Sequence, residues 1–532
     1  MRTYAKLLGL GRLEMRKLIA GLGLNSVAAR VSRSDENRGP SSPPTRALRW
    51  LADQEHADGG IKWDSRRNES YPEVTGYLIP TLINYGELAF AHRLADWLVR
   101  AQQADGSYRG LHGRPYVFDT GQALRGLLAA QGLVPGCREA VRRASNYILS
   151  MAIDGGRSGF IQAYDGEIPE GIHLYVLPPL IRAGGELGNR DQTAIANRCL
   201  DFYCASHHAP DIDGLTHFLG YQLEALIDLA KTDRALSCLQ QLASLQKSDG
   251  SIRGKAGRSW ICTPGLAQLA VCWYKTGQWT PADKAMSWLD NNQEPSGGFR
   301  GSYGWLADYS PLEEIPWAAK FYLDAHLRRL RAHFERDKGH VEDSVSSKDG
   351  RLRALADAVP THATILDAGC GKGRFSSAIT EEFRENSYIG IDIARANLQG
   401  IKSAMALVQA SLEALPFKQG VFDLAFSIEA LEHSPNPDVA TKEIIRVTRP
   451  GGLFIIIDKQ AARWGALRCP AWEQWPERDR LAAFLSRFSD TIEIEPLAFD
   501  DWPKSSEVML KWQGRKRDPG DSEQGKAEGA PR

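Results

Sequence analysis

Two regimes of apolar patterning divide the chain. From Arg46 to about Leu330, apolar residues fall on amphipathic helices that glycine turns interrupt, and the pattern repeats. Trp50-Leu-Ala-Asp-Gln54 leads to Asp58-Gly59-Gly60, and Trp97-Leu-Val-Arg-Ala-Gln102 leads to Asp105-Gly106-Ser107. Leu245-Gln246 precedes Asp249-Gly250-Ser251, and Trp288-Leu289 runs through Gln293 to Gly297-Gly298. Weaker copies fall at Asp154-Gly155 and Asp213-Gly214. The spacing is 47 residues from Gly59 to Gly106 and again from Gly250 to Gly297. A period of that size predicts stacked two-helix units, each a helix, a turn that stops it and a second helix. Beyond Arg351 the pattern changes to short apolar runs ending in polar residues, which predict strands: Ile365 to Asp367, Tyr388 to Asp392, Val421 to Ser427, Leu453 to Ile457 and Glu507 to Gln513. A helix from Arg374 to about Arg384 separates the first two.

Chemistry enters at the first of these strands. Asp367-Ala-Gly369-Cys370-Gly371-Lys372-Gly373 is an acid followed by a glycine-rich turn and a helix N-terminus. Glycines let backbone approach a ligand, and the helix start offers free N–H groups at a positive dipole end. The next strand ends in Asp392, 19 residues past Gly373, where an acid can take both hydroxyls of a ribose. Glu413-Ala-Leu-Pro-Phe417 and Arg449-Pro-Gly-Gly452 follow.

This order resembles the class I S-adenosylmethionine (SAM) methyltransferases, in the branch that includes quinone-pathway enzymes. The resemblance covers residues 351–513 and implies a Rossmann-like α/β domain with a seven-stranded sheet. It implies that Gly369, Gly371 and Gly373 pass under the methionine part of SAM, with Asp367 at its amino group and Asp392 at the ribose. Ile393, Ser411, Leu412 and Ser427 complete the cofactor set it implies. The branch carries an Asp at the position of Ser411, against the adenine amino group; a serine still accepts a hydrogen bond there, about 1 kcal/mol more weakly. An NAD-type Rossmann domain is the alternative, and the acid directly before the glycines, the Leu-Pro-Phe segment and the Arg-Pro-Gly-Gly turn argue against it.

The 532 residues are too many for one core. Residues 1–45 read as a basic arm and a Pro/Ser linker, 46–333 as the helical repeats, 334–350 as a charged linker, and 514–532 as a disordered tail. Lys plus Arg and Asp plus Glu number 65 each, so no global charge favours nucleic acid. The first 33 residues carry seven Lys or Arg against one Glu, which suits peripheral contact with the inner face of a membrane or a plain flexible arm. Eight cysteines without a Cys-x-x-Cys pair fit a reducing compartment, hence the cytoplasm. Cys199, Cys204, His207 and His208 lie close in sequence, but thiols buried on a helix are the commoner case than zinc.

The Gln-x-x-Asp-Gly-Ser element resembles the repeats of squalene cyclases and protein prenyltransferases. That implies an (α/α)6 toroid over 46–333. Asp211-Ile-Asp213-Gly214 lacks the last acid of the cyclases' Asp-x-Asp-Asp, and no prenyltransferase zinc ligands are recognisable, so neither chemistry is expected. In a toroid the second helices of the units run parallel and their N-termini share one mouth. Glu73, Asp119, His173, His217 and Trp317 are then expected to line one glycan pocket, with Glu73 and Asp119 as an acid–base pair if it is catalytic. The competing reading makes these acids helix caps or first-turn acids.

Glu429-Ala-Leu-Glu432-His433 puts two acids and an imidazole on one helical face. The segment resembles small-RNA 2′-O-methyltransferases and ubiquinone O-methyltransferases, where such a trio can hold Mg²⁺. No histidine follows His433 to complete that site unless Asp458 substitutes, so the expectation is metal-free chemistry by Glu429, Glu432 and His433, with His433 as base; a divalent metal and a purely structural role are the alternatives. Ala471-Trp472-Glu473-Gln474-Trp475 and the closing strand look similar to methyltransferases of bacterial surface-polysaccharide synthesis. The expected function is O-methylation of a sugar hydroxyl in a polysaccharide or glycolipid. The alternative is a quinone or polyprenoid acceptor, with the toroid holding the isoprenoid chain.

Overall fold

The computed structural model describes residues 42–110, 113–161, 168–205, 210–336, 344–470 and 472–518. The basic arm, the last residues of the tail, and His207 and His208 lie outside them. The chain forms two compact units, which meet in sequence at Arg329/Leu330; residues 84–86 group with the second.

The first unit is helical. Its helices follow in pairs: α1 (Pro43–Asp53) and α2 (Pro72–Asn84), α3 (Leu88–Ala101) and α4 (Val117–Ala129), α5 (Cys137–Ser150) and α6 (Leu177–Leu187), α7 (Arg190–Tyr203) and α8 (Thr216–Asp228), α9 (Thr232–Leu245) and α10 (Thr263–Lys275), α11 (Trp279–Asn291) and α12 (Pro316–Arg336), whose residues from Leu330 on group with the second unit. A 3-10 segment, Glu170–Val176, leads into α6. Burial separates the two members of a pair. Every residue of α10 except Lys275 is buried, whereas α9 buries only Ala235, Leu239 and Leu242. A helix apolar on all sides belongs inside, and one with a single apolar stripe covers it.

The repeated turn is built by its own residues. Asp105 Oδ1 accepts from the Ser107 N–H at 2.9 Å, and Asp249 Oδ1 accepts from the Ser251 N–H at 2.9 Å. Between them Gly106 and Gly250 sit at φ +91° and +90°. A Cβ at Gly250 would lie 2.0 Å from the Lys284 carbonyl oxygen of the next covering helix, so only glycine fits. The glutamine ahead of three of the turns ties the turn to the next helix. Gln102 Nε2 donates to Gly106 O (3.1 Å) and Ala140 O (2.9 Å). Gln246 Nε2 donates to Gly250 O (3.0 Å) and Pro281 O (2.9 Å). Gln293 Nε2 donates to Gly297 O (2.8 Å) and to Pro43 O of α1 (2.8 Å), so the last pair reaches back to the first. Arg46 adds a 2.5 Å bond to Gln293 Oε1.

The second unit is an α/β sandwich around a seven-stranded sheet, in the order β5-β4-β3-β6-β7-β9-β8. These strands are β3 (Thr364–Ala368), β4 (Ser387–Asp392), β5 (Ala406–Gln409), β6 (Phe422–Ile428), β7 (Thr448–Lys459), β8 (Ile492–Leu497) and β9 (Met509–Arg515); two short strands, β1 (Ile261–Cys262) and β2 (Ser302–Tyr303), belong to the first unit. The pairs from β5 to β7 are parallel, and β9 runs antiparallel to both β7 and β8. Ile365, Leu366, Phe426 and Ile455 are fully buried, as expected of parallel strands covered on both faces. The chain leaves β3 towards β4 on one side and returns to β6 on the other. A ligand cleft opens at the carboxyl ends of the strands at such a switch point.

The expected linker at 334 begins inside α12, which stays helical to Arg336. No helix among the described residues is long and apolar enough to cross a membrane.

Candidate active site

The turn after β3 is shaped by its glycines and held by an acid from the neighbouring strand. Gly369, Gly371 and Gly373 have φ of +86°, +54° and +75°. A Cβ on Gly369 would lie 2.3 Å from Ala430 Cβ. Gly369 and Cys370 donate their N–H groups to Ile391 O, at 3.0 and 2.8 Å, and Gly371 N–H donates to Asp392 Oδ2 at 3.0 Å. The other Asp392 oxygen accepts from Ala394 N (2.8 Å) and Asn397 Nδ2 (3.2 Å). Burial nonetheless raises the Asp392 carboxyl above its ordinary value. Asp367 accepts from Ser376 Oγ at 2.7 Å, and burial pushes it up to about 7. Two deep carboxylates thus face one cleft, a setting that favours a cationic ligand.

Of the expected cofactor residues, Asp367, Gly369, Gly371, Asp392, Ile393, Ser411 and Leu412 line this cleft. Two do not. Gly373 stands at the N-cap of α13 (Arg374–Glu382), and Ser427 is buried within β6, one residue before Ile428, which does line the cleft.

The far side of the cleft differs from the expected helical face. Glu429 has φ +51°, and only Leu431–His433 form a single 3-10 turn, because β6 ends there in a sharp reversal. Glu429 is turned to Arg351, whose Nη1 donates at 2.6 Å, and to Arg374. Burial opposes its ionisation, but the two guanidiniums hold the carboxyl below its usual range. Glu429 is therefore an ion-pair acceptor rather than a base. His433 Nε2 lies 3.3 Å from Glu432 Oε1, and its Nδ1 lies 3.9 Å from Glu473 Oε1. Lys459 Nζ bonds Glu432 and stands 3.7 Å from Glu473. Burial lowers the His433 imidazole to about 4, so it is neutral near pH 7. Asp458, which accepts the Glu432 N–H at 3.0 Å, is pushed well up by burial and by Glu432. Phe334 packs edge-on against His433, ring centres 5.0 Å apart.

The ligand atoms of Glu432, His433 and Glu473 lie within 4.8 Å of one another, close enough to hold a metal ion. The Lys459 ammonium already serves both carboxylates as their cation, so the donor set does not fit a resident divalent ion. Sequence reasoning missed Lys459, Glu473, Phe334 and Arg351. They come from a strand end, a loop, the end of α12 and a short helix, and no spacing rule joins such segments.

In the first unit, Glu73, Asp119, His217 and Trp317 are connected through tyrosines. Tyr71 donates to Asp119 Oδ2 at 2.8 Å, and Glu73 accepts from Tyr71 and Tyr221. Burial and then Asp119 push the Glu73 carboxyl well above its usual range. His217 packs on Tyr221 at 4.6 Å and pairs its Nδ1 with Gln268 Oε1 at 2.6 Å. Trp317 donates to the Tyr309 hydroxyl at 3.1 Å and packs edge-on to Trp63. His173 does not join them. It is fully buried against Phe160 and Tyr203, the latter on the covering helix α7, so it is a packing residue.

Residues 366–456 match the family model described as a methyltransferase domain. The C-terminal unit is a class I SAM-dependent methyltransferase domain. The match spans β3 to β7 and includes the glycine turn, Asp392 and His433. A 2-methyl-6-phytyl-1,4-hydroquinone methyltransferase of Synechocystis is 33% identical over 132 residues, covering 22% of this chain and 40% of that protein. A malonyl-[acyl-carrier protein] O-methyltransferase of Methylovorus is 32% identical over 190 residues, covering 32% of this chain and 62% of that protein. Among solved structures, a phosphoethanolamine N-methyltransferase of Haemonchus contortus with phosphomonomethylethanolamine and S-adenosylhomocysteine aligns at 16% identity and a TM-score of 0.29, covering 36% of this chain and 60% of that one. The chain thus spans less than two thirds of the length of these curated relatives. SAM is the cofactor of the methyltransferase domain.

Proposed function

We propose that the protein transfers the methyl group of SAM to a hydroxyl of a saccharide. The observation that carries methyl transfer is the turn Asp367–Gly373 pinned to Asp392, at the switch point of the sheet. Asp367 suits the cofactor's ammonium and Asp392 its ribose diol. Bound SAM supplies a sulfonium methyl for in-line displacement. The acceptor oxygen forms the new C–O bond as the C–S bond breaks, leaving a thioether, and the oxygen must then lose its proton. A methylated oxonium is a strong acid, so the neutral imidazole of His433 suffices to take that proton even with its lowered basicity. Glu473 beside the imidazole favours the imidazolium that results, and the nearby Lys459 opposes it.

The saccharide reading rests on the first unit. The Gln293–Pro43 bond, made like those of Gln102 and Gln246, supports a ring of six helix pairs. The inner group of Glu73, Asp119, Tyr71, Tyr221, Trp317 and Trp63 joins acids to aromatic faces, which is how sugar rings are held. A purely apolar interior would instead favour an isoprenoid chain. We place the protein in a reducing compartment, because all eight cysteines are free, and assign membrane contact to the basic arm. The test is transfer of label from SAM into extracted cell-envelope polysaccharide, with Asp392→Ala as the inactive control. Label confined to the lipid–quinone fraction would move the acceptor to a quinone or polyprenoid, the reading that the hydroquinone methyltransferase relative favours.

A further inference from the structure

Arg374, Lys459 and Arg468 all line the cleft, and the first two are already neutralised. Arg374 is paired with Glu429. Lys459 bonds Glu432 and has Glu473 3.7 Å away. Arg468 is different. It is exposed, and among the described residues its guanidinium has no hydrogen bond and no ion pair.

Its backbone is nevertheless held in place. Arg468 lies in the segment after β7 that also carries Glu473. Gln474 fastens that segment to the His433 turn: its N–H donates to Glu432 O at 2.8 Å, and its Nε2 donates to Ser434 O at 2.9 Å. Ala461 N–H closes the segment on Pro476 O at 2.9 Å. An exposed arginine keeps its water. A ligand that fills the cleft strips that water away, and a cation left without an anion is then penalised. Glu432 and Glu473 are already committed to Lys459. The ligand must therefore bring the anion, and the planar guanidinium fork matches the paired oxygens of a carboxylate or phosphate. SAM has a carboxylate of its own, but it shares a carbon with the ammonium assigned to Asp367, on β3. Arg468 instead shares its segment with Glu473, whose Oε1 lies 3.9 Å from the His433 imidazole, the group that takes the acceptor's proton.

We propose that Arg468 binds an anionic group carried by the acceptor, so that the saccharide methylated here is an acidic one, bearing a uronate carboxylate or a phosphate. This rests on the reading of the acceptor as a saccharide.

The test uses the full chain and extracted cell-envelope polysaccharide, split by anion exchange into a neutral and an acidic pool. Label from SAM should enter the acidic pool about tenfold faster than the neutral one, the scale of a charge-assisted bond. Arg468→Ala should raise KM for the acidic pool by about tenfold and Arg468→Glu by more, with kcat changed less; Arg468→Lys should recover part of the loss. Calorimetry should find S-adenosylhomocysteine affinity unchanged in all three. Reducing the pool's carboxyls with carbodiimide and borohydride separates the two anions: the preference disappears for a uronate and survives for a phosphate. Equal labelling of both pools, indifferent to every Arg468 change, overturns the proposal and leaves the saccharide reading standing. Loss of S-adenosylhomocysteine affinity with KM for the acidic pool unchanged also overturns it, and gives Arg468 to the cofactor's carboxylate. Label in neither pool removes the saccharide reading itself, and the proposal with it.

Discussion

Asp367 carries the most readable proton in the cleft. Burial lifts it to about 7, so near neutrality it is a mixture of acid and carboxylate before a cofactor binds. A cofactor ammonium needs the carboxylate. Affinity for S-adenosylhomocysteine should therefore strengthen as pH rises from 6 to 8 and weaken as it falls, with a slope approaching tenfold per unit below the pKa. Asp367→Asn should bind more weakly and lose that slope; calorimetry across the range reads both. His433 acts at another step. His433→Ala should lower kcat by about 10²- to 10⁴-fold with little change in S-adenosylhomocysteine affinity. A parallel loss of affinity would make it a packing residue against Phe334.

At the scale of elements, what was legible in the sequence follows a simple physical division. Backbone requirements were visible. The acid before the glycines, the strand ending in Asp392 and the Asp-Gly-Ser turns each need particular residue types in consecutive positions. The spacing of Glu429–His433 predicts a helical face, but β6 ends there in a left-handed residue. The aligned helix starts predict His173 at the shared mouth, but it lies in the 3-10 segment before α6 and packs on Phe160 and Tyr203. Lys459 and Glu473 were out of reach, since only tertiary packing brings them to the imidazole. The turns make a prediction of their own. Gly250→Ala adds a left-handed non-glycine residue and a Cβ 2.0 Å from a carbonyl oxygen, whereas Gly277→Ala, at φ +73° with nothing within 4 Å, meets no neighbour. The second change should cost about 1 kcal/mol and the first clearly more, read as shifts in the unfolding midpoint.

For the whole molecule, two compact units imply two unfolding events. Calorimetry of the full chain should resolve two transitions, and S-adenosylhomocysteine at 100 times its Kd should stabilise only the one belonging to the methyltransferase domain, by about 2.7 kcal/mol. A shift of both together would mean that the units melt as one. The helical unit separates internal strength from mere chain order. Gln246→Ala removes the two bonds that join α9 to α11, and Gln293→Ala removes the equivalent two that join the last pair to the first, together with the Arg46 bond. Gln293→Ala should therefore cost as much as Gln246→Ala or up to about 1 kcal/mol more.

That equivalence reaches beyond the two glutamines. Where the final fastening is of the same make as the interior ones, the place at which translation happens to begin has no special mechanical standing. The helical unit could be reopened by circular permutation at another of its turns, with its old ends joined, and should fold back to the same arrangement. A lineage that duplicates such pairs would face no penalty peculiar to the first or the last.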